Sequence, residues 1–286
     1  MIKQIKSESC VGSEKLESLL VEVPFFSEVA LEAQKIMSQA ELDISMLVKV
    51  LETDPGLVGK ILRIANSSFY GLERQIASLR DACIVLGQTT LRNIILTAAV
   101  MDVVHSQRID RAAYNEMMQH FIHTGMLARD LATRVGVNGD TAYIVGLLHD
   151  IGSLFIEVLL PDEAEEIRNL MLQNSNELEE IEREVLGFSH AEFSGEIARH
   201  WKLPEEISEP LCSHHHAGEQ VSKLNAVIYA ADKISMLKLL REDSFDVSFT
   251  INESVLKCLG FNEQSILDYI KESVTPEEAS LPLSLG

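Results

Sequence analysis

The chain has 286 residues, 46% of them hydrophobic, which is enough for a buried core in one or two domains without disulfide support. Its 44 acidic and 24 basic side chains give a formal net charge of −20, so a phosphate backbone would be repelled and nucleic acid is disfavoured as a partner. The four cysteines include no C-x-x-C pair, which argues against a zinc ribbon. The N-terminus is polar and no apolar run is expected to be long enough to cross a membrane, which argues against a secretory signal and a membrane span. Together these features favour a cytoplasmic location.

Helix signals follow one another along the chain, and strand signals are almost absent. Polar side chains or proline suit a helix start, where the first amides lack partners, and glycine suits the left-handed residue that ends a helix. The residues expected to begin helices are, in chain order, Asp43, Asp54 with Pro55, Ser78, Pro161, Ser189 and Pro204. The residues expected at helix ends are Thr53, Gly87, Gly136 and Gly187. The chain is therefore predicted to be all-α.

The predicted helices are expected to form a two-lobed bundle. Short connections favour antiparallel packing of neighbouring helices. An N-terminal lobe is predicted over residues 16–105 and a second lobe over residues 112–272, with the division at residues 104–112. The tail at residues 273–286 is predicted to be loose.

Three conspicuous features receive structural interpretations. The acidic runs at residues 162–166 and 177–184 are typical of solvated helix faces. The string at residues 66–71 joins hydrogen-bonding side chains to a glycine, so we interpret it as a helix end, with a partner surface or a contact between the lobes as the alternatives. Trp201, the only tryptophan, is expected in the core.

The most informative stretch is the pair His149 and Asp150 within an apolar run at residues 140–159. Imidazole nitrogen and carboxylate oxygen together suit iron, manganese or zinc better than magnesium or calcium. The alternative is that Asp150 only caps a helix. One pair cannot make a metal site alone, and the further donors that the sequence offers are His123, His190, His214, His215 and Asp232.

His120 and His123 lie on one face of a predicted helix, and only one of them needs to point inward. Apolar neighbours favour His123 as the interior residue. His120 is expected to face solvent. A hydrogen-bonded core histidine is the alternative for His123.

The order His123, His149-Asp150, His190, His214-His215, Asp232 resembles the metal-binding series of the HD superfamily of phosphohydrolases. Residues 23–105 resemble the N-terminal half of its HDOD branch through the strings DPGL at 54–57, RIANSSFYG at 63–71 and LRDACIVLG at 79–87. The resemblance covers about residues 16–240. It implies an all-helical bacterial signalling or regulatory module with an HD-like C-terminal lobe.

The resemblance also implies a ligand set. His123, His149, Asp150 and Asp232 match the ligands of a mononuclear HD site, and His190, His214 and His215 match the additional ligands of binuclear relatives, in which Asp150 would bridge two ions. One or two ions of iron or manganese, or alternatively zinc, are expected. In an active enzyme the nucleophile would be water on the metal.

Two departures from catalytic relatives weaken the expectation of catalysis. Ser153 stands where lysine commonly follows the HD-I-G run, which removes a cation that would stabilise developing phosphate charge. Residues 217–219 read AGE instead of containing the Gly-Tyr-Pro element of cyclic-dinucleotide phosphodiesterases, which disfavours cyclic di-GMP as a substrate. Lys233 and Arg129 are weak candidates for the missing substrate-binding cation.

Three interpretations therefore stay open. The first is a regulatory HDOD module that retains a metal site and acts on a signalling protein partner. The second is a working metal-dependent phosphohydrolase with a small phosphorylated or nucleotide substrate. The third is a polar core of histidines without a metal.

Overall fold

The computed structural model of the chain describes residues 14–37, 39, 41–67, 75–107, 111–173, 177–216, 218, 221–240 and 251–276. Over these residues the secondary structure is helical and contains no strand, which confirms the all-α prediction. The segments outside the described residues include residues 68–71 of the string at 66–71, the N-terminus with Cys10 and the tail beyond residue 276.

Helices account for most of the residues that the structure describes. In chain order they are α1 (Glu14–Leu20), α2 (Glu28–Met37), α3 (Ile44–Leu51), α4 (Pro55–Ala65), α5 (Leu79–His105), α6 (Arg111–Arg134), α7 (Gly139–Leu148), α8 (Ile151–Leu159), α9 (Pro161–Gln173), α10 (Leu178–Leu186), α11 (His190–His200), α12 (Glu205–Leu211), α13 (Lys223–Leu240), α14 (Glu253–Leu259) and α15 (Glu263–Glu272).

The predicted cap residues begin and end these helices. The side chains of Asp43, Asp54 and Ser78 each accept a hydrogen bond from a main-chain amide in the first turn of the helix that follows. Gly87 has φ 77° and interrupts α5, so the predicted pair of helices is present as one helix with a kink. Gly187 has φ 86° and ends α10. Local hydrogen bonding and glycine conformation thus set these boundaries, as predicted.

The chain divides into two compact units. The first is formed by Met1–Pro24 and Leu148–His215, and the second by Phe25–Leu147 and His216–Gly286. The lobes predicted from the sequence divide the chain differently and stay a prediction.

In the first unit, α11 is the central helix and packs against α1, α8, α10 and α12. Phe155, Phe193 and Trp201 are fully buried. The indole Nε1–H of Trp201 donates to the carbonyl of Pro24 over 2.9 Å, which satisfies its one polar atom inside the core. Trp201 is therefore a core residue, as expected.

In the second unit, α6 packs along α13, and α2, α3 and α4 pack against α5. Gly125 of α6 and Gly146 of α7 let the two backbones approach closely, since a Cβ on Gly146 would lie 2.9 Å from the Cα of Gly125. A buried hydrogen bond of 3.0 Å joins the hydroxyls of Thr97 and Tyr143. The core of this unit thus combines close helix packing with a hydrogen bond between two buried hydroxyls.

By length and hydropathy alone, two described segments qualify as membrane spans, Leu79–His105 and Gly139–Leu159. The expectation that no apolar run is long enough is therefore wrong. The buried share of the most apolar window is 56% in the first segment and 72% in the second. Core helices, which are mostly buried, pass the same test of length and hydropathy.

Candidate metal centre

His149 and Asp150 form the turn between α7 and α8. Asp150 occupies the N-cap position of α8, but its side chain makes no capping hydrogen bond. Its carboxylate instead lies 3.4 Å from Nε2 of His149, which is fully buried. The interpretation of Asp150 as a simple helix cap is therefore wrong, because its carboxylate is directed to a group of histidines.

His190 is the first residue of α11, which places its ring at the start of the central helix of the unit. Its Nδ1 lies 2.6 Å from Oε2 of Glu182, and its main-chain N–H donates to the same oxygen over 2.8 Å. Because Glu182 is an acceptor, Nδ1 carries the proton of this bond. The other ring nitrogen, Nε2, lies 3.4 Å from Oδ1 of Asp150.

His214 and His215 follow α12 and complete the group. Nδ1 of His214 lies 2.8 Å from the carbonyl oxygen of Leu211, so Nδ1 is again the donor and Nε2 is turned to Oδ1 of Asp150 at 3.4 Å. Nε2 of His215 lies 2.8 Å from Nε2 of His190. The donor atoms of four residues lie within 4.8 Å of one another, and these are Asp150, His190, His214 and His215.

The environment of His214 fits a bound cation. Nε2 of this residue is buried and has no hydrogen-bond partner among the residues that the structure describes. A neutral imidazole held through Nδ1 presents a lone pair there, and this lone pair faces a carboxylate oxygen. Two acceptors at 3.4 Å repel each other unless a positive charge lies beside both. Such a set of imidazole nitrogens and one carboxylate suits iron, manganese or zinc.

The pKa shifts in the cluster agree with this interpretation. Burial opposes ionisation of Asp150, but His149, His190 and His214 outweigh it and hold the pKa of this carboxyl well below its usual range. Burial also opposes charge on His190, yet hydrogen bonds to Asp150 and Glu182 raise its pKa to about 10. Burial lowers the pKa of His214. The surroundings of Asp150 therefore favour a positive charge, carried either by the ring of His190 or by a bound cation.

Ser194 holds the turn of His149 and Asp150 against α11. Its hydroxyl donates to the carbonyl of His149 over 2.7 Å and accepts from the amide of Gly152 over 2.9 Å. A Cβ on Gly152 would collide with the carbonyl oxygen of His190, so only glycine allows this approach. Gly152, the glycine of the HD-I-G run, therefore allows α8 to pack closely on α11, and this packing fixes the distance between Asp150 and His190.

Two predicted ligands, His123 and Asp232, belong to the second unit. His123 is fully buried, and both of its ring nitrogens make contacts. Nε2 lies 2.9 Å from the carbonyl oxygen of Val274 and must donate to it, whereas Nδ1 lies 2.9 Å from the hydroxyl of Ser235. Metal binding through His123 would require its ring to leave one of these partners.

His120 differs from its expected solvent-facing position. Its side chain is only 15% exposed, and its Nε2 lies 3.4 Å from Oδ1 of the buried Asp232. Nδ1 lies 3.1 Å from the hydroxyl of Ser235. His120 and His123 lie on one helix as predicted, but the side chain of His120 faces Asp232 and Ser235 of α13 instead of solvent.

The two weak candidates for a substrate-binding cation are each close to a carboxylate. Nζ of Lys233 lies 3.5 Å from Oδ2 of Asp232, and a guanidinium nitrogen of Arg129 lies 3.2 Å from Oδ1 of Asp140. Binding a phosphate through either residue would compete with these pairs. Their assignment as substrate-binding residues stays a prediction.

Sequence reasoning missed Glu182, which it placed on a solvated face although the side chain is 5% exposed. A signal was available, because Glu182 stands at an apolar-face position of α10, four residues from both Leu178 and Leu186. Ser194 was also missed. It follows His190 by four residues and so shares its face of α11.

Comparison with known proteins identifies the family. A model of the HDOD domain matches residues 23–217. An uncharacterized protein of Treponema pallidum (strain Nichols) is 22% identical over 234 residues, which are 80% of this chain and 45% of that protein. Ribonuclease Y of Acholeplasma laidlawii (strain PG-8A) is 28% identical over 138 residues, 48% of this chain and 21% of that enzyme. The chain thus spans less than half the length of these curated relatives.

Two solved structures share the fold. A provisionally named phosphohydrolase from Shewanella amazonensis SB2B superposes with a TM-score of 0.77 at 22% identity, covering 93% of this chain and 97% of that one. An HDOD domain protein of unknown function from Geobacter sulfurreducens gives a TM-score of 0.75 at 24% identity, covering 95% and 98%. At these identities the likeness concerns the fold alone.

Proposed function

Because the chain belongs to the HDOD domain family, we propose that it is a cytoplasmic bacterial signal-transduction or regulatory protein that retains a histidine/aspartate metal site. The observation that carries the proposal is the orientation of two buried imidazoles. His190 and His214 each donate through Nδ1 and turn Nε2 to the same oxygen of Asp150. The proposed ligands within one unit are His149, Asp150, His190, His214 and His215.

The roles of the proposed ligands follow from their surroundings. Asp150 supplies the negative charge, and its low pKa keeps it ionised. His190 and His214 supply nitrogen lone pairs once Nδ1–H is held by an acceptor, which is the usual arrangement around metal-binding histidines. Iron or manganese is proposed before zinc, with one or two ions. His123 and Asp232 as additional ligands stay a prediction.

Metal content tests the proposal directly. Protein purified without a histidine tag from cells supplied with iron and manganese should contain a transition metal, measured by inductively coupled plasma mass spectrometry. Asp150→Ala should lack it, and Asp162→Ala, which changes an exposed aspartate on α9 of the same unit, should retain it. A wild-type protein that holds no metal even after anaerobic addition of Fe²⁺ or Mn²⁺ would contradict a metal site.

The second candidate function is metal-dependent phosphoester hydrolysis. It is favoured by the ionised carboxylate of Asp150 beside the rings of His149, His190, His214 and His215, since a divalent ion held there would activate water and polarise a phosphoryl oxygen. In such a reaction Asp150 would hold charge beside the reacting group, and the buried rings would limit the access of bulk water. A small phosphorylated substrate fits the net charge of −20 better than RNA does.

A substrate screen separates the two functions. Metal-loaded wild type and Asp150→Ala are compared on p-nitrophenyl phosphate, bis-p-nitrophenyl phosphate and a panel of nucleotides. A working hydrolase should lose at least roughly a hundredfold in rate when this ligand is removed, because metal catalysis is worth several kcal/mol. If wild type and Asp150→Ala differ in metal content but hydrolyse the substrates at the same residual rate, the hydrolase function is contradicted. The regulatory role would then stand, with a signalling protein as the proposed partner.

A further inference from the structure

Glu182 has an unusual position for an acidic residue. It belongs to a helix rich in exposed charges, yet its side chain is 5% exposed and reaches the start of the next helix. One of its oxygens, Oε2, accepts both the main-chain N–H and the Nδ1–H of His190, over 2.8 and 2.6 Å. The neighbouring acids on α10 have no comparable contact with the cluster among the described residues.

These contacts fix the ring of His190 in two ways. The hydrogen bond from the main-chain N–H of His190 fixes the position of the Glu182 carboxylate relative to α11. The hydrogen bond from Nδ1–H then fixes the rotation of the His190 ring relative to this carboxylate. With Nδ1–H held, the remaining nitrogen is directed to Asp150 and His215. A side chain without an acceptor at position 182 would leave the ring able to turn or to exchange its tautomer.

We propose that Glu182 is a positioning residue that orients His190 and makes its Nε2 available to a metal ion. This inference rests on the proposed metal site and names a residue outside the ligand series. A carboxylate at position 182 is a stronger acceptor than a neutral amide would be, since hydrogen bonds to an ionised acceptor are about twice as strong as those between neutral groups. A charged partner also raises the basicity of the ring that it holds.

A merely structural role is the competing explanation, because the amide of His190 is one of the donors at the N-terminus of α11 that no helix carbonyl can satisfy. A structural cap would contribute to stability alone. A positioning residue would change metal affinity and the state of the Nδ1 proton as well. The two explanations therefore predict different results from the same set of variants.

The test compares wild type, Glu182→Gln, Glu182→Met and Glu184→Gln. Glutamine keeps an acceptor and removes the charge, methionine removes both, and Glu184 is an exposed residue of the same helix that serves as the matched control. Mn²⁺ affinity is measured from the electron paramagnetic resonance signal of free Mn²⁺. We expect a dissociation constant raised roughly 10- to 100-fold for methionine, a smaller rise for glutamine and no change for Glu184→Gln.

A second readout uses the protein without added metal. Selective ¹⁵N-histidine labelling should show a downfield, slowly exchanging Nδ1–H proton of His190 in wild type and in Glu184→Gln. This signal should be lost in Glu182→Met. Thermal unfolding of each variant is recorded with both readouts, so a loss of folding is recognised. The wild-type signal needs no variant and tests the contact even if Glu182→Met does not fold.

The outcomes separate the two proposals. Unchanged Mn²⁺ affinity in folded Glu182→Met, or a wild-type protein without the Nδ1–H signal, would overturn the positioning role while leaving the metal site in place. If wild type binds neither Mn²⁺ nor anaerobically added Fe²⁺, the metal site fails, and the orientation of His190 is then decided by the Nδ1–H signal alone. A graded loss of affinity from wild type to glutamine to methionine supports the inference.

Discussion

Gly152 and Ser194 are joined by a hydrogen bond of 2.9 Å from the amide of the glycine to the hydroxyl of the serine, although they lie on different helices, α8 and α11. The same hydroxyl donates to the carbonyl of His149. One side chain thus satisfies two buried main-chain groups at the turn that carries Asp150. The position of the carboxylate relative to His190 depends on this connection.

Ser194→Ala should therefore destabilise the protein. The change leaves the amide of Gly152 and the carbonyl of His149 without their partner, and we expect a loss of about 1–3 kcal/mol in the free energy of unfolding. Urea denaturation followed by circular dichroism measures it. Ser18→Ala, at an exposed position of α1, should change the free energy by less than about 0.5 kcal/mol. Equal midpoints for the two variants would show that the connection contributes nothing.

Gly152→Ala should be more damaging than a typical glycine substitution. A Cβ at this position would meet the carbonyl oxygen of His190 and lie 2.8 Å from the amide of Ser194, and these are backbone atoms that cannot yield. We expect a cost of about 1–3 kcal/mol or more from overpacking, together with weaker metal binding, measured by urea denaturation and Mn²⁺ titration.

Gly59→Ala is the matched control for this substitution. Gly59 lies inside α4 and is exposed, and the Cβ that alanine would add there meets nothing within 4 Å. Alanine should therefore stabilise the protein by about 0.5–1 kcal/mol through backbone entropy. A Gly152→Ala protein as stable as Gly59→Ala would contradict the close approach of α8 and α11.

Adding Mn²⁺ should raise the melting temperature of the wild-type protein. A ligand that binds only the folded state stabilises it by about 2.7 kcal/mol when its free concentration is a hundred times the dissociation constant. Differential scanning fluorimetry measures the shift, and a chelator should reverse it. Asp150→Ala should show no shift, whereas Asp162→Ala should behave like wild type. A shift of equal size in Asp150→Ala would place the bound ion elsewhere.

His123→Leu tests the role of the buried histidine in the second unit. The change removes the donor to the carbonyl of Val274 and the acceptor for Ser235, so we expect a loss of about 1–3 kcal/mol in unfolding free energy. Urea denaturation and Mn²⁺ stoichiometry are measured on the same sample. His105→Leu, at an exposed position of α5, is the control. If His123→Leu is less stable but binds as much Mn²⁺ as wild type, His123 is a core residue. If the variant is as stable as wild type but has lost Mn²⁺ binding, His123 is a ligand.

Helix boundaries were the most predictable part of the fold. Asp54 and Gly187 act through bonds or dihedral angles within a few residues, so their chemistry can be read from the sequence directly. The helix α14 was not predicted, although Asn252 and Gly260 carry the same kind of signal at its two ends. A short helix with a weak apolar pattern is easily overlooked when only periodicity is used.

The candidate site was predictable in its residue types and less so in its contacts. The series from His149 to His215 follows from a resemblance to a family, and the structure brings four donors of it together. The partner of His123 is a carbonyl 151 positions away, on a segment expected to be loose. No local rule gives such a pairing, because it depends on how α6 and the end of α15 pack in three dimensions.

The two imidazoles that face Asp150 are held by acceptors of different origin, a side chain for His190 and the main chain of Leu211 for His214. Every amino acid carries a carbonyl, so no codon change at position 211 deletes that acceptor, whereas a single-nucleotide change at codon 182 is enough to delete the other. In the proposed metal site, a substitution at position 182 would therefore weaken the retention of a cation through His190 while every histidine of the series is still present.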